Sequence, residues 1–387
     1  MSAVHVLQVT PYFPPTWAYG GIPRIVDGLS RALVRRGLQV SVLTTDALDE
    51  HRRAEVGAER EHDGVSVLTL RNLSNRAAWR HQLFLPLGIN AALKRLPPVD
   101  LVHLHGHRHL LNNAAVSYAG ARKLPYVLTA NGTLHRHERK VGAKLLWDLL
   151  VSGRIPGGAA RCVAVSASDA ARHVQAGIAA ERIVRIPNGL DLGEFERLPA
   201  RGTFRERHGL HGRPLVAYLG QISPRKGVDH LVEAFADGAM GEAVLVVAGA
   251  TRGEATGEHA SVRFCGLLRG EERLELLADA DVLVYPSTAE VFGLVPFEGL
   301  LCGAPVVVGE DCGCGELIAE AGAGLLVRHG DVDGLRARIR TLLADRVAAE
   351  AMIARGRRYI AEHLGFDRVA ERHHALYTEV LAERESR

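Results

Sequence analysis

The sequence predicts an α/β protein built from two doubly wound parallel sheets. Short runs of β-branched and aliphatic residues alternate with helical patterns along the whole chain, as expected where helices cover both faces of a parallel sheet. The alternation restarts near residue 215, after the stretch NGLDLGEFERLPARG, in which Gly, Pro and charge replace periodicity. A chain of 387 residues is also long for a single hydrophobic core.

The expected strands follow from short apolar runs bounded by turn residues. In the first half they cover residues 5–10, 39–44, 65–70, 100–105, 126–130, 162–166 and 183–188. In the second half they cover residues 215–220, 243–249, 262–266, 281–287 and 305–310. The segment between the first two strands places Ile25, Leu29 and Leu33 on one helix face, and Gly37 ends that helix.

These patterns divide the chain into three parts. Residues 1–195 are expected to form the first domain, and residues 196–365 are expected to form the second. Residues 366–387 are expected to form a helix that packs back on the first domain, with Val369, His373, Leu376 and Val380 along one stripe. Two such sheets facing one another would form a cleft beyond the carboxyl ends of their strands.

The composition is that of a globular protein, with 47% hydrophobic and 24% charged residues. No apolar run approaches the roughly 18 residues that a membrane span needs. The N-terminal residues lack the charged region of a signal peptide, so we expect a cytoplasmic location. The five Cys residues are few and odd in number, which favours reduced thiols over a disulfide framework.

Charge is unevenly distributed along the chain. Residues 1–190 hold 24 Lys and Arg against 13 Asp and Glu, a net +11, whereas the rest hold 23 against 31, a net −8. This asymmetry is consistent with an anionic partner of the first domain or with charge complementarity between the domains. The stretch at 139–154 combines basic residues with Trp147 and several Leu, as an interfacial membrane helix or an ordinary amphipathic helix would. We expect peripheral association with the inner face of a membrane as one possibility, and no nucleic-acid partner.

The segment EVFGLVPFEG carries two carboxylates, Glu290 and Glu298, beyond the end of a predicted strand. Gly293 breaks the loop and Pro296 suits a first helical turn, so Glu290 lies on the loop and Glu298 just inside the helix. A carboxylate accepts two hydrogen bonds and therefore binds adjacent sugar hydroxyls well. Roles in capping or in interaction with the helix dipole are the alternative explanation of the same acids.

With its continuation, EVFGLVPFEGLLCGAPVVVG, this segment resembles the Glu-x7-Glu motif of retaining, nucleotide-sugar-dependent glycosyltransferases with two Rossmann-like domains, the GT-B fold. The resemblance extends over nearly the whole chain. It implies that Glu290 contacts the donor sugar and that Glu298 contacts the nucleotide ribose. It also implies a nucleoside diphosphate sugar as co-substrate, with no other cofactor and no metal. The donor site would include Phe292, Gly293, Leu294 and Val295.

Three further loops fit the resemblance. Gly20 and Gly21 precede a helix, so their N–H groups could hold a phosphate. Lys226, in GQISPRKGVDHL, could neutralise a departing diphosphate and act as a catalytic residue with Glu290. The glycines of CGCG at 312–315 suggest another loop at a helix entry near the donor.

Two positions depart from the family pattern. Gln221 stands where an Arg is usual, so one fixed cation is lost unless Arg225 replaces it. Asn131 stands where relatives often carry His near the reacting sugar, and we assign Asn131 and His105 to the acceptor site. The alternating run His103, His105, His107 and His109 is a poor metal site, because the strand ends near Gly106.

The sequence therefore predicts transfer of a hexose to a hydroxyl of a saccharide or lipid-linked acceptor, with retention of configuration, in polysaccharide or glycoconjugate biosynthesis. The alternatives are a nucleotide-sugar epimerase or phosphorylase of the same architecture, or a catalytically impaired sugar-nucleotide-binding subunit. A dinucleotide oxidoreductase is disfavoured, because the first strand is not followed by G-x-G-x-x-G.

Overall fold

A computed structural model of the chain describes residues 3–56, 60–134, 154–250, 261–288 and 290–386. The chain divides into two units, of which the first is Met1–Leu190 with Leu364–Arg387 and the second is Asp191–His363. Both are mixed α/β units with a parallel sheet, as the sequence predicts. The two crossings between the units lie close to the domain boundaries expected at residues 195 and 365.

The first unit contains a sheet in the order β3-β4-β2-β1-β5-β6-β7-β8. Its strands are β1 His5–Val9, β2 Gln39–Thr45, β3 Arg60–His62, β4 Val65–Leu70, β5 Leu101–His105, β6 Tyr126–Thr129, β7 Arg161–Ala164 and β8 Ile183–Arg185. Strand β3 pairs antiparallel with β4 and was not predicted, so the expectation of a wholly parallel sheet is wrong at this edge. Strand β3 is a short edge strand whose residues are exposed or half-buried. Its sequence, REH, therefore has no apolar pattern that would predict a strand.

The helices of the first unit are α1 Gly21–Arg35, α2 Asn75–His81, α3 Ile89–Arg95, α4 Leu110–Ala121, α5 Arg154–Gly158, α6 Ala167–Gln175 and, from the chain end, α14 Phe366–Glu385. Both faces of the sheet are covered. Val6 of β1 joins a core that includes α1 and α14, whereas its neighbour Leu7 joins a second core that includes α4. This alternation is the period of two expected for strand side chains.

The C-terminal helix α14 packs inside the first unit. The four residues of its predicted stripe are buried, and the three apolar ones, Val369, Leu376 and Val380, share a core with Val26 and Leu29 of α1. The contact with α1 is close, because a Cβ at Gly28 would lie 2.0 Å from the Phe366 ring. Gly28 therefore makes room for Phe366, as does Gly189, where a Cβ would lie 2.3 Å from the same ring.

Under α14 lies a group of buried histidines, His103 and His105 of β5 and His373 of α14. The His103 ring is hydrogen-bonded to the Tyr377 hydroxyl and to Thr129 Oγ1, both at 2.7 Å. Its centroid lies 4.2 Å from that of His105 and 5.5 Å from that of His373. Burial lowers the pKa of His105 to about 3 and that of His373 to about 4, and it lowers the pKa of His103 as well.

The second unit contains a wholly parallel sheet in the order β11-β10-β9-β12-β13-β14. Its strands are β9 Leu215–Leu219, β10 Val244–Ala248, β11 Val262–Gly266, β12 Val282–Tyr285, β13 Val306–Gly309 and β14 Gly324–Val327. Its helices are α7 Thr203–His208, α8 Val228–Ala234, α9 Glu271–Asp279, α10 Val295–Cys302, α11 Gly313–Ala321, α12 Val332–Ala344 and α13 Arg346–His363. Strand β14 was not predicted. Among the helices of the described ranges, none has the length and apolar composition needed to cross a membrane.

We expect Gly28→Ala to destabilise the first unit by about 1–3 kcal/mol, because the new methyl group would overlap the Phe366 ring. The matched control is Gly120→Ala in α4, where the added Cβ meets no atom of the described residues within 4 Å. That substitution should be neutral or stabilise by up to about 1 kcal/mol. Urea unfolding followed by Trp fluorescence measures both, because Trp17, Trp79 and Trp147 all lie in the first unit. Equal stability of the two variants would contradict the packing.

The buried histidines predict acid lability of the first unit. Above pH ~6.5 they are neutral in both folded and unfolded chains, so they add no pH dependence. Below pH ~6.5 these histidines bind protons in the unfolded chain but not in the folded chain. The first unit therefore loses stability as the pH falls from about 6.5 toward the lowered pKa values of the folded state. The slope is about 1.4 kcal/mol per pH unit for each histidine.

His373→Phe should reduce this slope in urea unfolding measured between pH 7 and pH 5, because Phe cannot titrate. His374→Phe, at the next position of α14, is the control, since His374 is only half-buried and should leave the slope unchanged. The same slope in both variants would show that His373 is not a source of the acid lability.

Candidate active site

Lys226 and Glu290 lie at the point where the strand order of the second sheet reverses. Strands β9 and β12 are neighbours, and the sheet continues through β10 on one side and through β13 on the other. The loop after β9 carries Lys226, and the loop after β12 carries Glu290. In open parallel sheets, ligands bind beyond the strand carboxyl ends at such a reversal.

Lys226 and Glu290 form an ion pair in this position. The Lys226 ammonium also donates a hydrogen bond to the Tyr285 hydroxyl at 2.8 Å and lies 5.1 Å from the centroid of the Tyr285 ring. The Glu290 carboxylate in turn accepts hydrogen bonds from the Tyr285 and Ser287 hydroxyls, each at 3.3 Å. Lys226 is 8% exposed, so its charge is held in a largely water-excluded place. We call these four residues the Lys226 cluster.

The electrostatics of the Lys226 cluster keep Glu290 ionised. Burial raises the pKa of the Glu290 carboxyl, but the Lys226 ammonium, with the Arg225 guanidinium and the Tyr285 hydroxyl, outweighs burial and lowers the pKa overall. The pKa of Tyr285 is well above its usual value, because of burial and the Glu290 charge, so its hydroxyl stays protonated. The cluster thus holds a fixed cation and a fixed anion bridged by a neutral hydroxyl.

Two glycines make the loops of the Lys226 cluster possible. Gly227 has φ 65°, and a Cβ there would lie 2.6 Å from the Pro286 carbonyl oxygen. Gly293 has φ 83°, and a Cβ there would lie 2.8 Å from Cys314 Sγ. A side chain at either position would be both strained and crowded.

Glu298 is buried in the first turn of α10, where it pairs with Arg273 of α9 at 2.6 Å. The same guanidinium pairs with Glu194, also at 2.6 Å. Burial lowers the pKa of Arg273, but the two carboxylates outweigh burial and raise it overall. Sequence reasoning missed Arg273, because the pattern GEERLELL around it is that of an ordinary helix start.

The other predicted donor residues lie around the Lys226 cluster. Gln221 is exposed, and its carbonyl accepts a hydrogen bond from the Tyr218 hydroxyl at 2.8 Å. Arg225 is exposed as well, and its carbonyl accepts from the Thr288 N–H at 3.0 Å. Phe292 is buried, whereas Leu294 and Val295 are half-buried. The role of each in donor binding stays a prediction.

In the first unit, Gly20 and Gly21 lie where predicted, at the start of α1. Gly20 is the N-cap, with φ 95°, and Gly21 is the first helical residue. The first turn of α1 carries no acidic side chain, so no negative charge of its own opposes an anion there. Phosphate binding at this helix start stays a prediction.

His105, which the sequence assigns to the acceptor site, is buried. Its side chain is buried beneath α14, and its Nε2 donates to Gln8 Oε1 at 2.6 Å. A period of two places the His105 ring on one face of β5, but it does not reveal that α14 covers that face. Asn131 follows β6 with φ 48°, and its amide atoms are buried without a hydrogen-bond partner among the described residues. A role in acceptor binding stays a prediction for both residues.

The proposed interfacial helix at 139–154, which includes Trp147, begins in the part of the chain that is not described, so its character stays a prediction. Membrane association of the basic first unit is likewise untested. Within the described ranges, no group of three or more His, Cys, Asp or Glu side chains is placed to hold a metal ion. His103 and His105 bond instead to Tyr377, Thr129 and Gln8.

Comparison with known proteins matches each unit to a glycosyltransferase profile. The sequence profile described as Glycosyl transferases group 1 matches residues 200–359, and that described as Glycosyltransferase Family 4 matches residues 19–194. A GDP-mannose-dependent alpha-mannosyltransferase of Mycobacterium tuberculosis is 28% identical over 347 residues, which cover 86% of each chain.

A GDP-mannose-dependent monoacylated alpha-(1-6)-phosphatidylinositol monomannoside mannosyltransferase of Corynebacterium glutamicum is 30% identical over 207 residues. That alignment covers 48% of this chain and 54% of the relative, so this chain matches only about half of the relative's length. Among solved structures, sucrose-phosphate synthase of Thermosynechococcus elongatus shares the fold, with a TM-score of 0.77 at 20% identity, over 98% of this chain and 100% of that chain. The predicted resemblance to glycosyltransferases of the GT-B fold is confirmed, whereas the nucleotide-sugar donor and retention of configuration stay predictions; the chain belongs to the group 1 glycosyltransferases of the GT-B fold.

Proposed function

We propose that this glycosyltransferase moves a hexose from a nucleoside diphosphate sugar to a hydroxyl of a saccharide or lipid-linked acceptor, with retention of configuration. The observation that carries the proposal is the Lys226 cluster at the carboxyl ends of β9 and β12. It offers a cation for a diphosphate and an ionised carboxylate for sugar hydroxyls within one hydrogen-bonded group.

In this proposal, Lys226 stabilises the negative charge that develops on the diphosphate as the bond to the sugar breaks. A fixed ammonium in a water-excluded place needs little reorganisation during the reaction, which is where electrostatic stabilisation is most effective. The Lys226 ammonium would stabilise this charge as a divalent cation does in other reactions that have a phosphate leaving group. We therefore propose that transfer does not require a divalent metal.

Glu290 is proposed to orient the sugar rather than to attack it. Its carboxylate already accepts from Lys226, Tyr285 and Ser287, which restrains its position and spreads its charge. The acceptor hydroxyl then attacks from the face of the sugar that the diphosphate leaves, and an oxygen of the departing diphosphate takes its proton. Such a route retains the anomeric configuration without a covalent sugar-enzyme intermediate.

The names of the two mannosyltransferase relatives suggest the donor to test first. Both mannosyltransferases are described as GDP-mannose-dependent, and one is described as acting on a phosphatidylinositol mannoside. We propose a lipid-linked or saccharide acceptor for this chain, bound by its first unit, where Asn131 offers an unpartnered amide among the described residues. The net +11 of residues 1–190 would favour an acceptor that carries phosphate.

A panel of nucleotide sugars, with GDP-mannose first, tests the proposal by release of nucleoside diphosphate in the presence of EDTA. The expected result is acceptor-dependent release, with the anomeric configuration of the donor preserved in the product. Sugar interconversion without an acceptor would indicate an epimerase, and phosphate-dependent cleavage would indicate a phosphorylase. Donor binding without turnover would indicate an impaired binding subunit, in which Gln221 leaves the diphosphate without its second cation.

We expect Lys226→Met to lower kcat by about 10²-fold or more, because one preorganised charge opposite the leaving group is removed. The matched control is Lys94→Met, since Lys94 is an exposed lysine of α3 in the other unit and should leave kcat unchanged. Steady-state kinetics with the active donor measures both variants. An unchanged kcat in Lys226→Met would remove Lys226 from the mechanism.

A further inference from the structure

Two thiols touch at the start of α11, in the loop that follows β13. The Sγ atoms of Cys312 and Cys314 lie 3.2 Å apart. Cys312 Sγ also donates a hydrogen bond to the Gly309 carbonyl at 2.9 Å and accepts one from the Gly315 N–H at 3.4 Å. Cys312 is 3% exposed and Cys314 is fully buried, and neither is in a disulfide.

Helix capping does not account for this pair. Cys312 is the N-cap of α11, a position for which Ser, Thr, Asp and Asn are the favoured residues. Capping needs one hydrogen-bond acceptor, which Cys312 Sγ provides. It does not explain why the sulfur of Cys314 contacts the sulfur of Cys312. A pair of thiols in contact is instead the arrangement from which a disulfide forms.

The two thiols are joined to the Lys226 cluster through the backbone. The Gly313 N–H, between the two cysteines, donates to the Glu290 carbonyl at 2.8 Å. Cys314 Sγ lies directly against Gly293, as the crowding of a Cβ at that glycine shows. A movement of the 312–314 turn would therefore move the loop that carries Glu290.

We propose that Cys312 and Cys314 are a site of reversible oxidation, at which a disulfide forms between them and displaces the Glu290 loop. The sulfurs must approach by about 1 Å to reach the bonded distance of roughly 2.05 Å. Only one residue separates the cysteines, so the backbone around Gly313 has to move with the sulfurs. The effect on transfer rests on the proposed function, whereas the disulfide itself does not.

The oxidant is a peroxide, and the step balances without a metal or cofactor. The Cys312 sulfur, at the N-terminus of α11, attacks one peroxide oxygen, which gives a sulfenic acid and one water. Burial raises the pKa of the Cys314 thiol, so Cys314 acts second, attacking the sulfenic sulfur and expelling another water. The two sulfurs together lose two electrons, one peroxide is reduced, and a dithiol reverses the change.

Peptide mapping tests the site directly in the full chain. Hydrogen peroxide treatment is followed by denaturation, alkylation of the remaining thiols and cleavage after Glu310 and Glu316. The peptide 311–316 holds both thiols and none of the other three cysteines. We expect this peptide to escape alkylation and to be lighter by two hydrogens, and dithiothreitol to restore its alkylation.

The controls separate this site from general oxidation. Cys312→Ser and Cys314→Ser should each abolish the change in mass, and Cys312→Ser keeps a favoured cap at α11. Cys265→Ser, at a half-buried cysteine of β11, should leave the disulfide unaffected. Alkylation of both thiols after peroxide, over-oxidation that dithiothreitol does not reverse, or bonding to another cysteine would overturn the proposal.

A separate measurement tests whether the disulfide displaces the Glu290 loop. With an active donor, turnover should fall in proportion to the oxidised fraction of the peptide and return with dithiothreitol. Turnover of Cys314→Ser should be insensitive to the same peroxide dose, relative to its own untreated sample. A complete disulfide with unchanged turnover would overturn the displacement of the Glu290 loop. If the panel finds no donor, the mass measurement still decides whether the disulfide forms.

Discussion

The site depends on one ion pair, that of the buried Lys226 with the half-buried Glu290. A buried pair is stable only when its remaining hydrogen-bonding capacity is also satisfied, and here the Tyr285 hydroxyl contacts both partners. The pair exists because β9 and β12 are neighbours although far apart in sequence, so their loops meet at the reversal of strand order. Replacing these residues with an apolar contact could serve stability as well, so the retained charges point to chemistry.

Two groups of buried polar side chains, one in each unit, differ in charge. In the first unit, His103, His105 and His373 are neutral. His103 of β5 lies beside His373 of α14 and is hydrogen-bonded to Tyr377 of the same helix, so these contacts join the C-terminal helix to the sheet. In the second unit, Arg273 and Glu298 are buried and charged, near the starts of α9 and α10, and Arg273 also pairs with the exposed Glu194. Charged groups that have been withdrawn from water are ready to act on a ligand, whereas neutral ones mainly specify packing.

Much of the fold could be predicted from the sequence, because buried parallel strands read as short apolar runs between helices. The strands β3 and β14 were missed, since REH has no apolar pattern and GLLV is a brief run after glycines. Lys226 and Glu290 were identified because each follows a strand and matches a motif of the family that the sequence resembles. Tyr285 and Arg273 were not identified, because their roles depend on which elements pack together. The same limit explains why the burial of His105 beneath α14 was not foreseen.

The central claim is that the Lys226 cluster holds the diphosphate of the donor. A crystal structure of the protein with a bound nucleoside diphosphate tests it most directly. The account predicts an oxygen of the terminal phosphate within hydrogen-bonding distance of Lys226 Nζ, beyond the carboxyl ends of β9 and β12. A diphosphate bound elsewhere in the second unit, with the pair of Lys226 and Glu290 untouched, would contradict it.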